Sequence, residues 1–273
     1  MEYTLNIKGQ LLSLSRPQVM GILNVTPDSF YADSRKQTEQ DIIDRAHQIV
    51  REGGSIIDVG ACSARPGSQP VSASEEASRL QWALGIIRRE LPDTPISVDT
   101  FRPSVARQCI EEWGADIIND ISEGGLTCPD GTPAEKSESM FELVGRLQVP
   151  YILMSTKSNL KDMIKAFSGE IQQLRDLGAK DIILDPGYGF GKSLADNYRI
   201  LYHAEELQAL DLPILVGASR KSMIFKLIGG DPSTSLNGTT VIDTVSLMKG
   251  ASILRVHDVR QAVEAVDMLN VPV

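Results

Sequence analysis

Short apolar runs recur along the chain at 18–23, 55–59, 95–98, 115–118, 150–154, 181–184, 213–216 and 252–256. Between them lie longer segments whose apolar residues return every three or four positions, the period of a helix with one buried face. "EQDIIDRAHQIVREGG" puts Ile42, Ile43, Ala46, Ile49 and Val50 on one face and stops at Gly53-Gly54, a helix terminator. "LKDMIKAFSGEIQQLRDLGA" and "VRQAVEAVDMLN" behave alike. The runs are rich in Ile and Val without strict alternation, as parallel strands covered on both faces should be. Strand and helix alternating through roughly 250 residues predicts an α/β fold, a (β/α)8 TIM barrel. An open doubly wound sheet shares the alternation and stays open as an alternative. Ahead of this rhythm, "YTLNIKGQLLSLS" alternates weakly around Lys8-Gly9 and predicts an N-terminal β-hairpin over about 1–16. No linker or composition change divides residues 1–273, which predicts a single domain. The polar, Gly- and Pro-rich stretch 122–139 predicts a long loop.

Composition narrows the function classes. The chain has 273 residues, 42% of them hydrophobic, and a formal net charge of -9. With no basic run or aromatic-rich basic patch, nucleic acid is not an expected partner. Cys62, Cys109 and Cys128 match neither zinc spacing nor a disulfide framework. No segment reaches the ~20 apolar residues of a membrane span, and the N-terminus has no apolar stretch of signal-peptide length. A cytoplasmic protein with small-molecule substrates is expected.

In such a barrel the active site lies at the C-terminal ends of the strands. The eight runs end, in order, at Asn24; at Asp58 with "GACSARPG"; at Asp99; at Asn119-Asp120; at Ser155-Thr156; at Asp185; at Ser219-Arg220-Lys221; and at Arg255 with His257. Each has a structural reading. Asn119 or Asp120 could cap a helix, Asp99-Thr100 before Pro103 resembles a helix start, Asp185-Pro-Gly could be a turn, and Ser219 could be an N-cap. Polar residues at every strand end of one rim point instead to a heteroatom-rich small molecule. Asp58, Asp99, Asn119 and Asp185 suit a flat ring rich in N–H groups, since a carboxylate accepts two parallel bonds from an amidine-like edge. Arg255, His257 and Asn24 suit a phosphate, with Mg2+ as a possible companion. "GASRKS" before a helix offers backbone N–H groups to an anion.

"MGILNVTPDSF", "IDVG" followed by "ARPG", "SVDT", "INDIS", "LDPGYGFGK", "GASRKS" and "RVHDV" resemble, in order, the signature segments of the dihydropteroate synthase family, from Val19 to about Asp258. The resemblance implies a barrel homodimer. It implies a transferase of folate biosynthesis that condenses 6-hydroxymethyl-7,8-dihydropterin diphosphate with p-aminobenzoate, and a sulfonamide target. It implies that Asp58, Asp99, Asn119, Asp185, Lys221 and Arg255 hold the pterin. Asn24, Arg65, Arg255 and His257 would bind diphosphate, with Asn24 on Mg2+. Arg65, Pro66, Phe190, Ser219 and Lys221 would shape the p-aminobenzoate site. Lys221, Arg255, His257 and Asp99 would carry the catalysis.

The chain departs from that pattern at Ala64, where the family has threonine, at Ser155-Thr156 where Met-His-Met is common, and in the loops "SFYADSRK" and "SEGGLTCPDGTPAEKSES". One lost hydroxyl contact is worth about 0.5–1.5 kcal/mol. The alternatives are a catalytically silent pterin-binding paralogue, a pterin-dependent methyltransferase, and another phosphate-binding barrel enzyme. Retained Asn24, Lys221, Arg255 and His257 argue against the first two, which need no diphosphate site. The ring-binding carboxylates argue against the last.

Overall fold

The computed structural model describes residues 2–25, 35–62, 71–125 and 138–271. Most of the long loop expected at 122–139 falls outside those residues, as do most of the Pro-, Ser- and Gly-containing segments 26–37 and 61–72, with Ala64, Arg65, Pro66 and Cys128.

The N-terminal hairpin forms as the Lys8-Gly9 signal predicts. β1 (Thr4–Ile7) and β2 (Gln10–Ser13) pair antiparallel. Lys8 (φ 49°) and Gly9 (φ 87°) both take the left-handed region that a tight two-residue turn needs. The apolar runs become β3 (Gln18–Asn24), β4 (Ile56–Gly60), β5 (Ile96–Asp99), β6 (Ile117–Asp120), β7 (Tyr151–Met154), β8 (Ile182–Asp185), β9 (Leu215–Val216) and β10 (Ile253–Val256). They pair in parallel in the order β8-β7-β6-β5-β4-β3-β10-β9. A parallel bridge from Leu184 to Ile214 joins the two outer strands. That bridge closes the sheet, and the open doubly wound alternative is set aside.

The surrounding helices are α1 (Arg35–Arg51), α2 (Ala73–Glu90), α3 (Pro103–Glu111), α4 (Met140–Leu147), α5 (Leu160–Asp176), α6 (Leu194–Tyr202), α7 (Ser222–Ile228), α8 (Leu236–Met248) and α9 (Val259–Leu269). In α1, Ile42, Ala46 and Ile49 are buried against the barrel as their spacing predicts. Val50 is 38% exposed, because it falls one step past the buried stripe. Gly53 (φ 94°) ends the turn after α1.

Two cores result. One fills the layer between strands and helices. The other fills the barrel floor with Met20, Ile56, Ile117, Ile152, Ile183, Leu215 and Ile253, sealed from below by Leu5 and Leu14 of the hairpin. Asp116, just before β6, braces that seal. It pairs with Lys8 of the hairpin turn (2.6 Å) and with Arg88 of α2, and accepts the Ile96 N–H at 2.8 Å. With the floor closed, access to the barrel interior is left to the C-terminal ends of the strands.

Candidate active site

Side chains alternate along a strand, so the residue two beyond each floor position points into the barrel one layer higher. From Ile56, Ile117, Ile183 and Ile253 that step reaches Asp58, Asn119, Asp185 and Arg255; from the buried Ser97 it reaches Asp99. The floor is apolar and the layer above it carries charge. Two residues further lie Asn24, Gly187, Ser219 and His257 at the rim.

Arg255 reaches across β3 to the carboxylates of β4 and β5. Its Nε donates to Asp58 Oδ2 at 2.7 Å and its second terminal nitrogen to Asp99 Oδ2 at 2.5 Å. Asn119 Nδ2 donates to Asp58 Oδ1 at 3.2 Å. The Asn119 Oδ1 is buried with no partner, an acceptor whose desolvation is uncompensated. Two carboxyls share one guanidinium. Burial raises the Asp99 carboxyl to about 7, Arg255 pulling it down and Asp58 pushing it further up.

The segment after β8 forms the opposite wall. Asp185 is buried and accepts the Gly187 N–H at 2.7 Å. Burial raises its carboxyl, opposed by Lys221. Lys221, the residue before α7, donates to the Tyr188 carbonyl at 2.6 Å and sits 4.6 Å from the centre of the Phe190 ring. Burial lowers its ammonium to about 8, although Asp185 and Asp99 favour the charge. Phe190 packs on Phe101, Ile121 and Met154, an apolar patch beside the polar layer. Gly187 (φ 66°) is required here: a Cβ would lie 2.3 Å from the Ser155 carbonyl oxygen.

The third group surrounds a cavity of about 620 Å³ lined by Asn24, Arg45, Arg220, His257 and Asp258 among others. Arg45 of α1 donates to the carbonyls of Ile22 (3.1 Å) and His257 (2.7 Å), tying β3 to the end of β10. Arg220 (φ 55°) makes a two-pronged pair with Asp258, both bonds 2.8 Å. Ser219 Oγ accepts the His257 backbone N–H (3.2 Å) and lies 3.1 Å from His257 Nδ1. Donor and acceptor in the Oγ–Nδ1 contact are set by the ring tautomer; a hydroxyl that donates to Nδ1 would leave the hydrogen of the neutral ring on Nε2. Burial, with Arg255 nearby, lowers His257 to about 4, so the ring is neutral at pH 7.

Among the described residues no group of three or more His, Cys, Asp or Glu side chains could hold a metal. Asn24 ends β3 exposed to the 620 Å³ cavity; Asp41 and Asp258 line the same space, and Asp258 is engaged by Arg220. Such a hard oxygen set fits Mg2+ only in the mode where phosphate oxygens and water complete the shell.

The structure thus gathers Asp58, Asp99, Asn119 and Arg255 in one cluster and Asp185, Lys221 and Phe190 in a second. Asn24, Ser219 and His257 form a third. The capping readings lapse. The N-cap of α3 is Arg102 without a side-chain bond, and that of α7 is Lys221. Asp120 instead binds the N–H groups of Ser122 and Gly124 and the Tyr151 hydroxyl. Asp185 does make the turn contact, alongside its place in the polar layer. Sequence reading missed Arg45, Asp258, Lys192 and Glu123. A single arginine on an amphipathic helix reads as a solvated face, so Arg45 left no signal; Lys192 stood unassigned within "LDPGYGFGK".

Residues 20–257 match the family model for pterin binding enzymes. The dihydropteroate synthase of Escherichia coli (strain K12) is 39% identical, with 96% of this chain and 94% of that protein aligned. Among solved structures, Xanthomonas albilineans dihydropteroate synthase with 4-aminobenzoic acid superposes with a TM-score of 0.86 at 33% identity, covering 100% of both chains. Dihydropteroate synthase from Clostridium difficile, solved in the presence of pteroic acid, gives 0.82 at 33% identity over 93% of this chain and 95% of that one. A polar layer above a sealed apolar floor, an anion-suited corner beside it and these full-length likenesses agree: the chain belongs to the pterin binding enzyme family, among the dihydropteroate synthases.

Proposed function

We propose that this protein is a dihydropteroate synthase, joining 6-hydroxymethyl-7,8-dihydropterin diphosphate to p-aminobenzoate with release of diphosphate. The observation that carries this is the polar layer that holds Asp58, Asp99 and Asp185, above all the unpartnered Oδ1 of Asn119, whose Nδ2 bonds Asp58. An N–H-rich ring lying on that layer satisfies the orphan acceptor, with Asp185 taking a second edge. Arg255, oriented by Asp58 and Asp99, covers the ring and faces the departing diphosphate. His257 presents Nε2–H to the same anion, and Asn24 its carboxamide. Asn24, together with substrate oxygens, would hold a Mg2+, which would supply charge neutralisation on the diphosphate. Phe190 and Lys221 bound the p-aminobenzoate side, which Arg65, Pro66 and Ser219 would complete as the family resemblance implies.

The arylamine nitrogen bonds to the exocyclic methylene as its C–O bond to diphosphate breaks. The electron pair leaves with diphosphate and the surplus amine proton passes to water. Positive charge developing on the pterin carbon lies above Asp58, Asp99 and Asp185, and negative charge developing on the leaving group meets Arg255. The nucleophile is a neutral amine, so no activating base is required.

Exposed Leu227, Ile228, Val241 and Met248 on α7 and α8 support pairing with a second copy. The expected result by light scattering is twice the chain mass. Among the described residues no helix is long and apolar enough to cross a membrane. We place the enzyme in the cytoplasm.

Diphosphate release from the purified protein, given the pterin diphosphate and Mg2+, is the direct test. Release that depends on p-aminobenzoate, yields dihydropteroate and is blocked by sulfonamide is expected. Pterin binding with no release in either condition would overturn the assignment in favour of a silent paralogue.

The lysine supplies a pH signature. Burial lowers the Lys221 ammonium to about 8, so its charge is expected to be lost as pH rises past that value. Lys221→Ala is therefore expected to lower kcat/KM about 100-fold at neutral pH and by much less at pH about 9.5, where the wild type has already lost the ammonium. Equal losses at the two pH values would remove the charge from the mechanism.

A further inference from the structure

Ser155, at the end of β7, is gripped from two sides. Its hydroxyl donates to Glu123 Oε1 at 3.1 Å, and its carbonyl accepts from Lys192 Nζ at 2.9 Å. Lys192 Nζ also reaches the carbonyls of Gly187 (2.9 Å) and Phe190 (3.1 Å). An ammonium has three donors, and all three are used. Lys192 therefore has none left for a substrate, and its action is on the backbone that carries Phe190.

Glu123 is placed with equal care. It lies in the left-handed region (φ 53°), which a side-chain-bearing residue adopts only at a cost, and is 1% exposed. Its carboxylate accepts from the Thr156 N–H (2.8 Å), the Thr156 hydroxyl (2.8 Å) and Lys157 Nζ (3.1 Å), besides Ser155. These bonds hold the carboxyl below its ordinary range in spite of burial. Burial lowers the Lys192 ammonium to about 8, while Asp185 and Glu123 favour its charge. The two groups thus face one another across a single serine. Gly187 permits the contact, since any Cβ there would meet the Ser155 carbonyl oxygen at 2.3 Å.

The far end of this chain of contacts is the site. The Lys192-bound segment 187–190 supplies the Tyr188 carbonyl on which Lys221 docks and the Phe190 ring beneath its ammonium. Ser155-Thr156 is also where the chain departs from the family pattern, and here those hydroxyls serve as the donors to Glu123.

We propose that Glu123 and Lys192 are positioning residues that set the p-aminobenzoate side of the site, acting through Ser155 on Phe190 and Lys221. The inference rests on the synthase reading. Neither group bonds to Asp58, Asp99 or Asn119, and Lys192 meets Asp185 through charge alone, so the pterin side is predicted to change much less.

Steady-state kinetics on the full-length protein separate the two sides. The wild type is measured first: no p-aminobenzoate-dependent diphosphate release would overturn the synthase reading and this inference with it. Given wild-type turnover, Lys192→Met is expected to raise KM for p-aminobenzoate about ten-fold or more, with KM for the pterin diphosphate within about two-fold. Glu123→Gln keeps the shape but drops the charge, and is expected to show the same split more weakly. It carries the test if Lys192→Met does not fold. A thermal midpoint that falls while both KM values stay put would overturn the proposal, as would equal rises in both. Failure of both variants to fold would also overturn it, placing the clamp in the fold rather than in the site.

Discussion

Arg255→Met is expected to abolish turnover, lowering kcat/KM by about 1,000-fold or more, and to destabilise the fold at the same time. The guanidinium is the counter-charge for both Asp58, which is fully buried, and Asp99. A methionine of similar length leaves two carboxylates near one another in a desolvated layer. Removing one partner of a buried pair typically costs about 3–5 kcal/mol. The pH dependence follows from the sign of the shift. Burial already raises the Asp99 carboxyl and Arg255 pulls it down, so without Arg255 it titrates still higher than in the unfolded chain and the folded form favours protonation. The stability deficit is then small below the unfolded carboxyl pKa of about 4 and grows as pH rises towards the folded value. Urea denaturation at acid and neutral pH, alongside diphosphate release, checks both parts. A variant within a few-fold of wild-type turnover would show that the ring and diphosphate do not need the guanidinium.

Asp185→Asn is expected to remove pterin binding and leave the fold intact. The substitution is close to isosteric, and an Asn Oδ1 can still accept the Gly187 N–H that Asp185 accepts at 2.7 Å. Burial already raises this carboxyl, so a neutral amide relieves desolvation and stability is not expected to fall. What is lost is an acceptor-only edge: the amide presents an N–H where the ring presents its own. Leaving polar groups mismatched in a buried site typically discriminates by 10⁴ or more. Calorimetric titration with a pterin and a thermal melt decide the matter. Near-normal affinity would mean that Asp185 is not a pterin ligand.

Much of this site lies open in the sequence, because its chemistry is local to strand ends. A buried run that stops on Asn24, Asp99 or Asp185 shows both where the strand ends and which group it presents. Even the two-layer plan is written in the spacing, since Ile183 and Asp185 differ by one step of the strand's period. The hairpin was equally legible, because Lys8-Gly9 meets a local backbone requirement. The pairings were not. Arg255 and Asp58 are 197 positions apart, and only closure of the barrel brings them together. The capping readings of Asp99 and Ser219 were locally reasonable. They failed because α3 and α7 begin at later residues, leaving those side chains to partners across the barrel.

The sequence by itself determined the (β/α)8 alternation, the polar rim and the residue types offered there, because period, turn chemistry and donor inventory are properties of neighbours along the chain. The tertiary structure alone decided the rest: that one guanidinium serves two carboxylates, and that His257 is neutral and held by Ser219. It also decided that Lys192 has no donor left for a substrate. These depend on which groups share a buried space, and burial sets both the strength of a charge's interactions and whether the charge persists.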